Sequence, residues 1–485
     1  MSSQNPASSR PIGPQGESFF SCGMDCSGGK LDVMCCMLTA RVPGLSEPLT
    51  QESVAEVYHR VSMRQPLLRS RVVDTSDGRM VFESSETNAA ENSKLISPLC
   101  TESELERLWR LEIDVGFLLA DPMRWRLFVF SEPSDHGLIQ IIMSCDHTLS
   151  DGISCVTMLQ QVIGLLSEGG VEVQASGDCK RQRTDQRPPP LPMLPSSTVL
   201  MSSAPEASGA THKLSNSVVP TAAPFHFVPS TASMTDAGDS CTQCTALRVF
   251  GATELSALAV ACRGERTSVT AALAASVLTA LAETITDAHG GWVPLGRAQQ
   301  QSAAGRPVLC AVPVSLRKYY EPPISNEHVG FHIGMVKTFF DLDCAAGGGG
   351  DKTLGLWKAA RAWKEQLDAR MAAGEHLELA TAPAPSLDDM RSMLKSAASS
   401  CSGRTKTLTL TNRGAFELPC ELLSFRHTNN IVLAGPAFQL NAVAFNGVMY
   451  TTLTYLDRVI PPALGQAVAD AMLANLQAMA ARSKV

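Results

Sequence analysis

The sequence predicts a mixed α/β fold in two lobes, and two observations support this prediction. Its 485 residues exceed what one ordinary hydrophobic core can hold. On both sides of a central Ser- and Pro-rich stretch, apolar runs of strand length alternate with amphipathic runs of helical period. We therefore predict an N-terminal lobe at residues 1–168, a flexible crossover at 169–242 and a C-terminal lobe at 243–485.

Strand and helix signals follow one another along the first lobe. Alternating or continuous apolar runs predict strands, and apolar residues three and four positions apart predict helices. Gly169-Gly170 predicts the end of the last helix. The predicted strands are Leu31–Val42, Leu67–Val73, Trp125–Phe130 and Leu138–Cys145, and the predicted helices are Glu52–Gln65, Glu102–Glu112 and Ile153–Leu166.

The crossover at 169–242 has no hydrophobic periodicity and is rich in Ser, Pro, Ala and Thr. A structureless loop of this length inside a compact domain is uncommon, so we predict a largely disordered connection. Within it, Lys180–Arg183 favours a solvated linker over a targeting signal. Arg187–Pro192 favours a stiff spacer over a polyproline ligand for a partner.

The second lobe shows the same alternation, interrupted by loops. We predict an inserted loop at Gly290–Gly305 and a flexible break at Ala345–Gly350. The predicted helices are Glu254–Cys262, Val269–Ala282, Leu354–Ala372 and Pro462–Ala480, and the predicted strands are Pro307–Val314, Thr405–Thr411 and Val448–Tyr455.

Composition and charge narrow the function classes. The chain is 44% hydrophobic and 18% charged, as in globular proteins, and its net charge of −7 argues against nonspecific nucleic-acid binding. We expect no secretory signal and no membrane span, because no basic segment precedes an apolar run at the start and no apolar run approaches about 18 residues. The 15 cysteines, an odd number, predict reduced thiols and a cytoplasmic or organellar stroma-like compartment. We expect a monomer.

The segment His147-Thr148-Leu149-Ser150-Asp151-Gly152 carries the strongest chemical signal. It joins a buried strand to an amphipathic helix, so His147 leaves the strand end and Asp151 can cap the helix. Gly152 has no Cβ atom and therefore allows the backbone to turn tightly. Histidine is neutral in large part near pH 7 and can act as a general base, which predicts a catalytic role for His147. For Asp151 we favour anchoring by the helix and a buried arginine over direct action on the imidazole.

Other patterns give weaker signals. Cys145 lies two residues before His147 on the strand, which permits a Cys–His nucleophile pair, but a buried structural thiol is favoured. His328 and His332 have metal-ligand spacing only on a helix, and nearby prolines predict extended chain. Cys241-Thr242-Gln243-Cys244 lacks a second cysteine pair. We therefore predict no metal site and no bound cofactor; the chain also lacks P-loop, dinucleotide-loop and G-x-S-x-G patterns.

These residues resemble the H-x-x-x-D-G signature of the chloramphenicol-acetyltransferase-like superfamily. The similarity is greatest to its alcohol acetyltransferase, polyketide-associated acyltransferase and condensation-domain branch. Many members carry a second histidine before the signature, where this chain has Asp146. Further similar segments lie in the expected order: Pro11-Ile12-Gly13, Arg64–Arg69 (an "HPLLR"-like turn), Pro313–Arg317 and Thr409–Gly414.

The resemblance implies two similar lobes, each a mixed sheet flanked by helices, with a tunnel between them. It implies that His147 is the base, that Asp151 is a structural acid paired with Arg317, and that Asn412 lines the tunnel. The implied reaction moves an acyl group from acyl-CoA or an acyl carrier protein, as co-substrate, to a small-molecule hydroxyl or amine. The alternatives are a non-catalytic scaffold of the same fold, a condensation-type amide-forming enzyme and a cysteine-dependent thioesterase that uses Cys145.

Overall fold

The computed structural model describes most of the chain. The described residues are 9–11, 30–45, 47–74, 80–84, 89–118, 121, 123–132, 134–135, 137–168, 190–195, 197–202, 225–229, 242–285, 290–294, 307–341, 351–381, 404–431 and 435–481. Several features discussed above lie outside them: Ile12-Gly13, Gly169-Gly170, Lys180–Arg183, Cys241 and Ala345–Gly350.

Eighteen strands are found in the described residues. In chain order they are β1 (Ser9–Pro11), β2 (Lys30–Leu31), β3 (Val33–Arg41), β4 (Ser70–Asp74), β5 (Met80–Ser84), β6 (Ser93–Ile96), β7 (Phe117–Leu118), β8 (Trp125–Ser131), β9 (Leu138–Asp146), β10 (Phe225–Pro229), β11 (Gln243–Phe250), β12 (Gly290–Pro294), β13 (Pro307–Ser315), β14 (Ile333–Asp341), β15 (Arg404–Phe416), β16 (Glu421–Asn429), β17 (Gly435–Phe445) and β18 (Val448–Leu456).

Several helices begin at side-chain caps. Thr50 and Thr101 form capping boxes with Ser53 and Glu104, which satisfy backbone N–H groups of the first turn. The helices are α1 (Gln51–Arg64), α2 (Ala89–Asn92), α3 (Glu102–Val115), α4 (Gly152–Ser167), α5 (Ser197–Ser202), α6 (Ala252–Gly264), α7 (Val269–Thr284), α8 (Lys352–Ala372), α9 (Glu378–Thr381) and α10 (Pro462–Ala481).

The chain forms two compact units, and neither is continuous in sequence. The first comprises residues 1–207, 317–332 and 417–430, and the second comprises 208–316, 333–416 and 431–485. The sequence analysis predicted lobes that are each continuous in sequence. The observed units are not continuous, because β16 pairs with β3 and because the segment 317–332 binds α1 and α4 of the first unit.

The main sheet of the first unit has five strands in the order β16-β3-β9-β8-β6. Strands β3 and β9 pair antiparallel over their full length, from Val33 opposite Asp146 to Arg41 opposite Leu138. Both are buried almost throughout, which explains their nearly continuous apolar sequences. The ladder therefore fixes the end of β9, where the His147 turn begins.

The second unit is built on an eight-stranded mixed sheet. Its main path is β11-β18-β17-β15-β13-β10-β12, and β14 pairs with β13. Strands β17 and β18 form a hairpin through Asn446-Gly447, where both residues have positive φ. Asn-Gly is the pair that such two-residue turns favour, because both residues tolerate the left-handed region. Residues of α7, α8 and α10 pack with alternate residues of the central strands and form one apolar core.

The predicted mixed α/β class is confirmed, and three local predictions are corrected. The predicted strand Leu67–Val73 begins as a 3-10 helix at Pro66–Arg69, because proline favours a helical first turn, and becomes strand only at Ser70. The predicted loop Gly290–Gly305 begins with β12, which pairs with β10. The predicted crossover contains α5 and β10 among its described residues.

No single helix in the described part of the chain is long and apolar enough to cross a membrane. The bent pair α6 and α7 passes that test jointly, by length and composition alone.

Candidate active site

The histidine turn is held by backbone contacts from β3 and β9. The N–H of His147 donates to the Asp32 carbonyl at 2.9 Å, and the N–H of Leu149 donates to the Asp146 carbonyl at 3.0 Å. Helix α4 begins at Gly152, and the Asp151 carboxylate caps it by accepting from the Ser154 N–H at 2.8 Å. The position of His147 is therefore set by a strand ladder before it and a helix cap after it.

The imidazole of His147 is fixed in one orientation. The side chain is buried, with only 9% of the residue exposed, and Nδ1 lies 2.9 Å from the Ser150 carbonyl oxygen. A carbonyl oxygen only accepts, so Nδ1 carries the hydrogen, and the neutral ring keeps the Nε2 lone pair. The Phe331 ring packs edge-on against the imidazole, with 5.5 Å between ring centroids.

Asp151 and Arg317 come together in a buried two-pronged ion pair. Arg317 donates from Nη1 to Oδ2 at 2.6 Å and from Nη2 to Oδ1 at 3.1 Å. The N–H of His332 adds a bond to Oδ2 at 3.0 Å. Burial raises the pKa of the Asp151 carboxyl, but the charge and hydrogen bonds of Arg317 outweigh this effect and hold the pKa at about 2. The carboxylate is thus charged and fully engaged, which suits an architectural role.

The segment 317–332 that carries Arg317 is tied to two helices of the first unit. Ser154 of α4 donates from its hydroxyl to the Gly330 carbonyl at 2.8 Å, and Thr157 donates to the Asn326 carbonyl at 2.7 Å. Gln65, which follows α1, donates to the Glu327 carbonyl at 2.7 Å and accepts from the Val329 N–H at 3.1 Å. Gln65 stands in the "HPLLR"-like turn, where the similar segment has histidine.

A second buried ion pair lies on the other side of His147 in the chain. Arg124 donates to the Asp146 carboxylate at 2.7 Å, and both side chains have no exposed surface. Asp146 also accepts from the Thr148 N–H at 2.9 Å. Burial raises the pKa of the Asp146 carboxyl, while the charge of Arg124 acts against that rise. The sequence prediction missed this pair, although an aspartate ending a buried strand does require a partner.

Asp32 is a third carboxylate at the turn, and it too was missed. Its Oδ1 atom is buried with no hydrogen-bond partner among the described residues. The pKa of the Asp32 carboxyl is raised to about 6, chiefly by burial; the charge of Asp146 adds to the rise, and the charge of His147 acts against it. Hydrogen bonds from the Val33 N–H and the Asn429 side chain also lower it. No local motif marks Asp32, because its proximity to His147 comes from strand pairing.

The structure gives the remaining candidates other roles or other surroundings. Burial raises the pKa of the Cys145 thiol well above its ordinary value, which disfavours a thiolate nucleophile. His332 packs on Tyr320, with its Nδ1 3.2 Å from the Tyr320 hydroxyl. Asn412 belongs to the second unit, where it donates to the Thr270 hydroxyl at 3.0 Å. Within the described residues, no group of three or more His, Cys, Asp or Glu side chains could hold a metal ion.

Comparison with solved structures identifies the class of fold. The trichothecene 15-O-acetyltransferase TRI3 from Fusarium sporotrichioides superposes with a TM-score of 0.65 at 12% identity, over 99% of this chain and 97% of that chain. Polyketide synthase associated protein 5 from Mycobacterium tuberculosis gives a TM-score of 0.57 at 13% identity, over 98% of each chain. The first condensation domain of the calcium-dependent antibiotic synthetase gives 0.62 at 12% identity, over 99% and 98%.

The chain therefore has the chloramphenicol-acetyltransferase-like fold shared by these proteins, which confirms the resemblance at the level of fold. No family model matches the chain, and no curated protein matches it in sequence.

Proposed function

We propose that this protein is an acyltransferase that moves an acyl group from a thioester to a hydroxyl or amine acceptor, with His147 as general base. The observation that carries the proposal is the bond between His147 Nδ1 and the Ser150 carbonyl. It leaves Nε2 as the ring atom that can accept a proton. The fold is that of acetyltransferases and condensation domains, which supports the choice of acyl transfer.

The proposed step needs no covalent enzyme intermediate, because a thioester is already activated. Nε2 takes the proton from the acceptor O–H or N–H as the acceptor atom bonds to the thioester carbonyl carbon. The resulting tetrahedral intermediate breaks its C–S bond, and the thiolate takes the proton back from the imidazolium. Ester or amide and free thiol are the products, so atoms and charges balance.

The Asp151–Arg317 pair has a supporting role in this proposal. Asp151 and Arg317 form hydrogen bonds with each other, with Ser154 and, through Asp151, with the His332 N–H. Neither group is therefore placed to exchange a proton with substrate. The pair instead joins the start of α4 to the segment 317–332 and keeps the turn in shape. Asn412 is proposed to contact substrate on the resemblance alone.

The donor class is acyl-CoA or an acyl carrier protein, and the acceptor class is a small alcohol or amine. Among the proteins of similar fold, one is named a 15-O-acetyltransferase and others are condensation domains. Both oxygen and nitrogen acceptors therefore belong in the first screen. Acetyl-, propionyl-, octanoyl- and palmitoyl-CoA with mixed primary alcohols and amines, read by mass spectrometry of the products, form a suitable panel.

The decisive variant is His147→Gln, which removes the base while it keeps a polar side chain of similar size. We expect product formation to fall by about 10²–10⁴-fold, because general-base assistance is typically worth that much. His59→Gln on α1 is the matched control and should transfer at the wild-type rate. Full activity in His147→Gln would exclude this mechanism, and no transfer by the wild-type protein from any thioester would favour the scaffold alternative.

A further inference from the structure

Three carboxylates surround the His147 turn in the first unit, and they differ in their counter-charges. Asp151 binds Arg317, and Asp146 binds Arg124. The charged groups that act on Asp32 are His147, which attracts its negative charge, and Asp146, which repels it. Among the three, Asp32 is therefore the carboxylate that is attracted by the protonated His147 ring rather than by an arginine.

Strand pairing places Asp32 beside His147. Asp32 directly precedes β3 and His147 directly follows β9, so the two residues extend the β3–β9 ladder by one step. The bond from the His147 N–H to the Asp32 carbonyl, 2.9 Å long, fixes the two backbones together. The Asp32 carboxyl also receives a hydrogen bond from the side chain of Asn429, the last residue of β16. Sheet geometry thus holds the carboxyl in place.

The electrostatic coupling works in both directions. A positive charge on the His147 ring stabilises the Asp32 carboxylate, so the carboxylate must stabilise the charged ring by the same free energy. Bulk water screens this coupling less than it screens a surface pair, because the Asp32 Oδ1 atom is buried and only 9% of His147 is exposed.

We infer that Asp32 is a positioning residue whose carboxylate stabilises the positive charge that His147 acquires when it takes the proton of the acyl acceptor. This inference rests on the proposed function. Asp32 forms no bond to substrate: the proton moves from the acceptor to Nε2 and then to the leaving thiolate. The other charged or titratable groups around the turn are Asp146, Arg124, Asp151, Arg317 and His332.

The test compares Asp32→Asn, which removes the charge in the same shape, with Asp32→Glu, which keeps the charge. In Asp32→Asn we expect kcat to fall about 10- to 100-fold with a smaller change in KM, because the charged imidazole that forms in the step loses the opposite charge that stabilises it. The acid limb of the pH profile should move to lower pH, since an imidazolium without its counter-ion loses its proton more readily. Asp32→Glu should restore part of both effects.

A second readout does not depend on enzymatic activity. Histidines labelled with ¹³C at Cε1 allow the titration of His147 to be followed by NMR, with its signal assigned by its loss in His147→Gln. The midpoint should move to lower pH in Asp32→Asn, because the carboxylate that favours the charged ring has been removed. Asp135→Asn, which alters an exposed ion pair with Arg41, is the control and should leave the midpoint unchanged. An unchanged midpoint in a folded Asp32→Asn would overturn the inference even if acyl transfer is established.

The reciprocal variant keeps the test decisive if Asp32→Asn does not fold. In His147→Gln, the pKa of the Asp32 carboxyl should rise above about 6, because the charge that lowers it has been removed. Carboxyl-¹³C labelling of aspartate measures this titration, again with Asp135→Asn as the control. An Asp32 carboxyl with the same pKa in wild type and His147→Gln would overturn the inference. A normal shift in a protein that transfers no acyl group would instead count against the proposed function alone.

Discussion

Two buried aspartates lie on either side of His147 in the chain, and each one binds an arginine, yet their surroundings differ. Asp151 accepts two bonds from Arg317 and one each from the Ser154 and His332 N–H groups. Asp146 accepts from Arg124 and the Thr148 N–H. The pKa of the Asp151 carboxyl is lowered to about 2, whereas burial raises the pKa of the Asp146 carboxyl.

The comparison shows that an arginine alone does not determine how firmly a buried carboxylate stays charged. Desolvation acts on both aspartates, and the number of donors to each carboxylate decides whether attraction exceeds it. The two pairs also differ in what they join. Arg124 lies next to β8, so its pair stays within the neighbouring strands β8 and β9, whereas Arg317 comes from a distant segment of the chain.

The largest expected effect comes from removing the more fully bonded carboxylate. Asp151→Ala should lower the free energy of unfolding by about 3–5 kcal/mol, because it leaves the Arg317 charge buried without its partner. Urea denaturation followed by circular dichroism measures this loss. In an Arg317→Ala background the same change should cost far less, since no stranded charge remains.

Asp146→Ala is the matched variant, and we expect it to cost less than Asp151→Ala because fewer donors lose their acceptor. Equal losses at the two positions would contradict the explanation from donor number.

The second effect is on the pH dependence of stability, which should have opposite signs for Asp32 and Asp151. The pKa of the folded-state Asp32 carboxyl is raised from 3.8 to about 6, so the folded chain keeps a proton that the unfolded chain has lost. As the pH rises from about 4 to about 6, the free energy of unfolding should therefore decrease, by roughly 2–3 kcal/mol from this group. Asp151, with its lowered pKa, contributes stability above about pH 4 that is lost as the pH falls towards 2.

Denaturation curves at half-unit intervals from pH 4 to pH 7, for wild type and Asp32→Asn, measure the first contribution. The difference between the two proteins should change across this window and stay flat above it. Parallel curves throughout would mean that the Asp32 carboxyl titrates at its ordinary pH.

The smallest expected effect tests the anchoring of the segment that carries Arg317. Thr157→Val keeps the shape of the side chain but removes the hydrogen bond to the Asn326 carbonyl. We expect a loss of about 1 kcal/mol in the free energy of unfolding, the usual contribution of one such bond. The loss should shrink in Asp151→Ala, where the segment is already weakened; additive losses would show that the two contacts act independently.

The sequence predicted the elements around the site well, because their signals are local. The helix α4 and strand β9 have strong apolar patterns, and Asp151 stands where a helix cap is expected. Strand β17 was missed although all of its residues are buried, and the Asn446-Gly447 turn before β18 was the available signal. Strands β14 and β16 were missed as well.

The site residues that the sequence patterns did not reveal were missed for one physical reason. Asp32 and Arg124 come to the turn through β3 and β8, which flank β9 in the sheet, and strand order cannot be obtained from local periodicity. Arg317 was suggested only by resemblance, since 166 residues separate it from Asp151 in the chain. Pairing between distant strands thus determines most of the electrostatics at His147.

The late arrival of β16 has a consequence for how the protein is made. The first unit contains residues 417–430, so a growing chain on the ribosome cannot complete this unit until residue 430 has been synthesised. Until then the edge of β3 that β16 covers is open, and the partner of Asp151 is absent until residue 317 emerges. At typical rates of about 5–20 residues per second, that exposure lasts many seconds. An open strand edge in a nascent chain invites wrong pairing, which gives chaperones a physical reason to bind it.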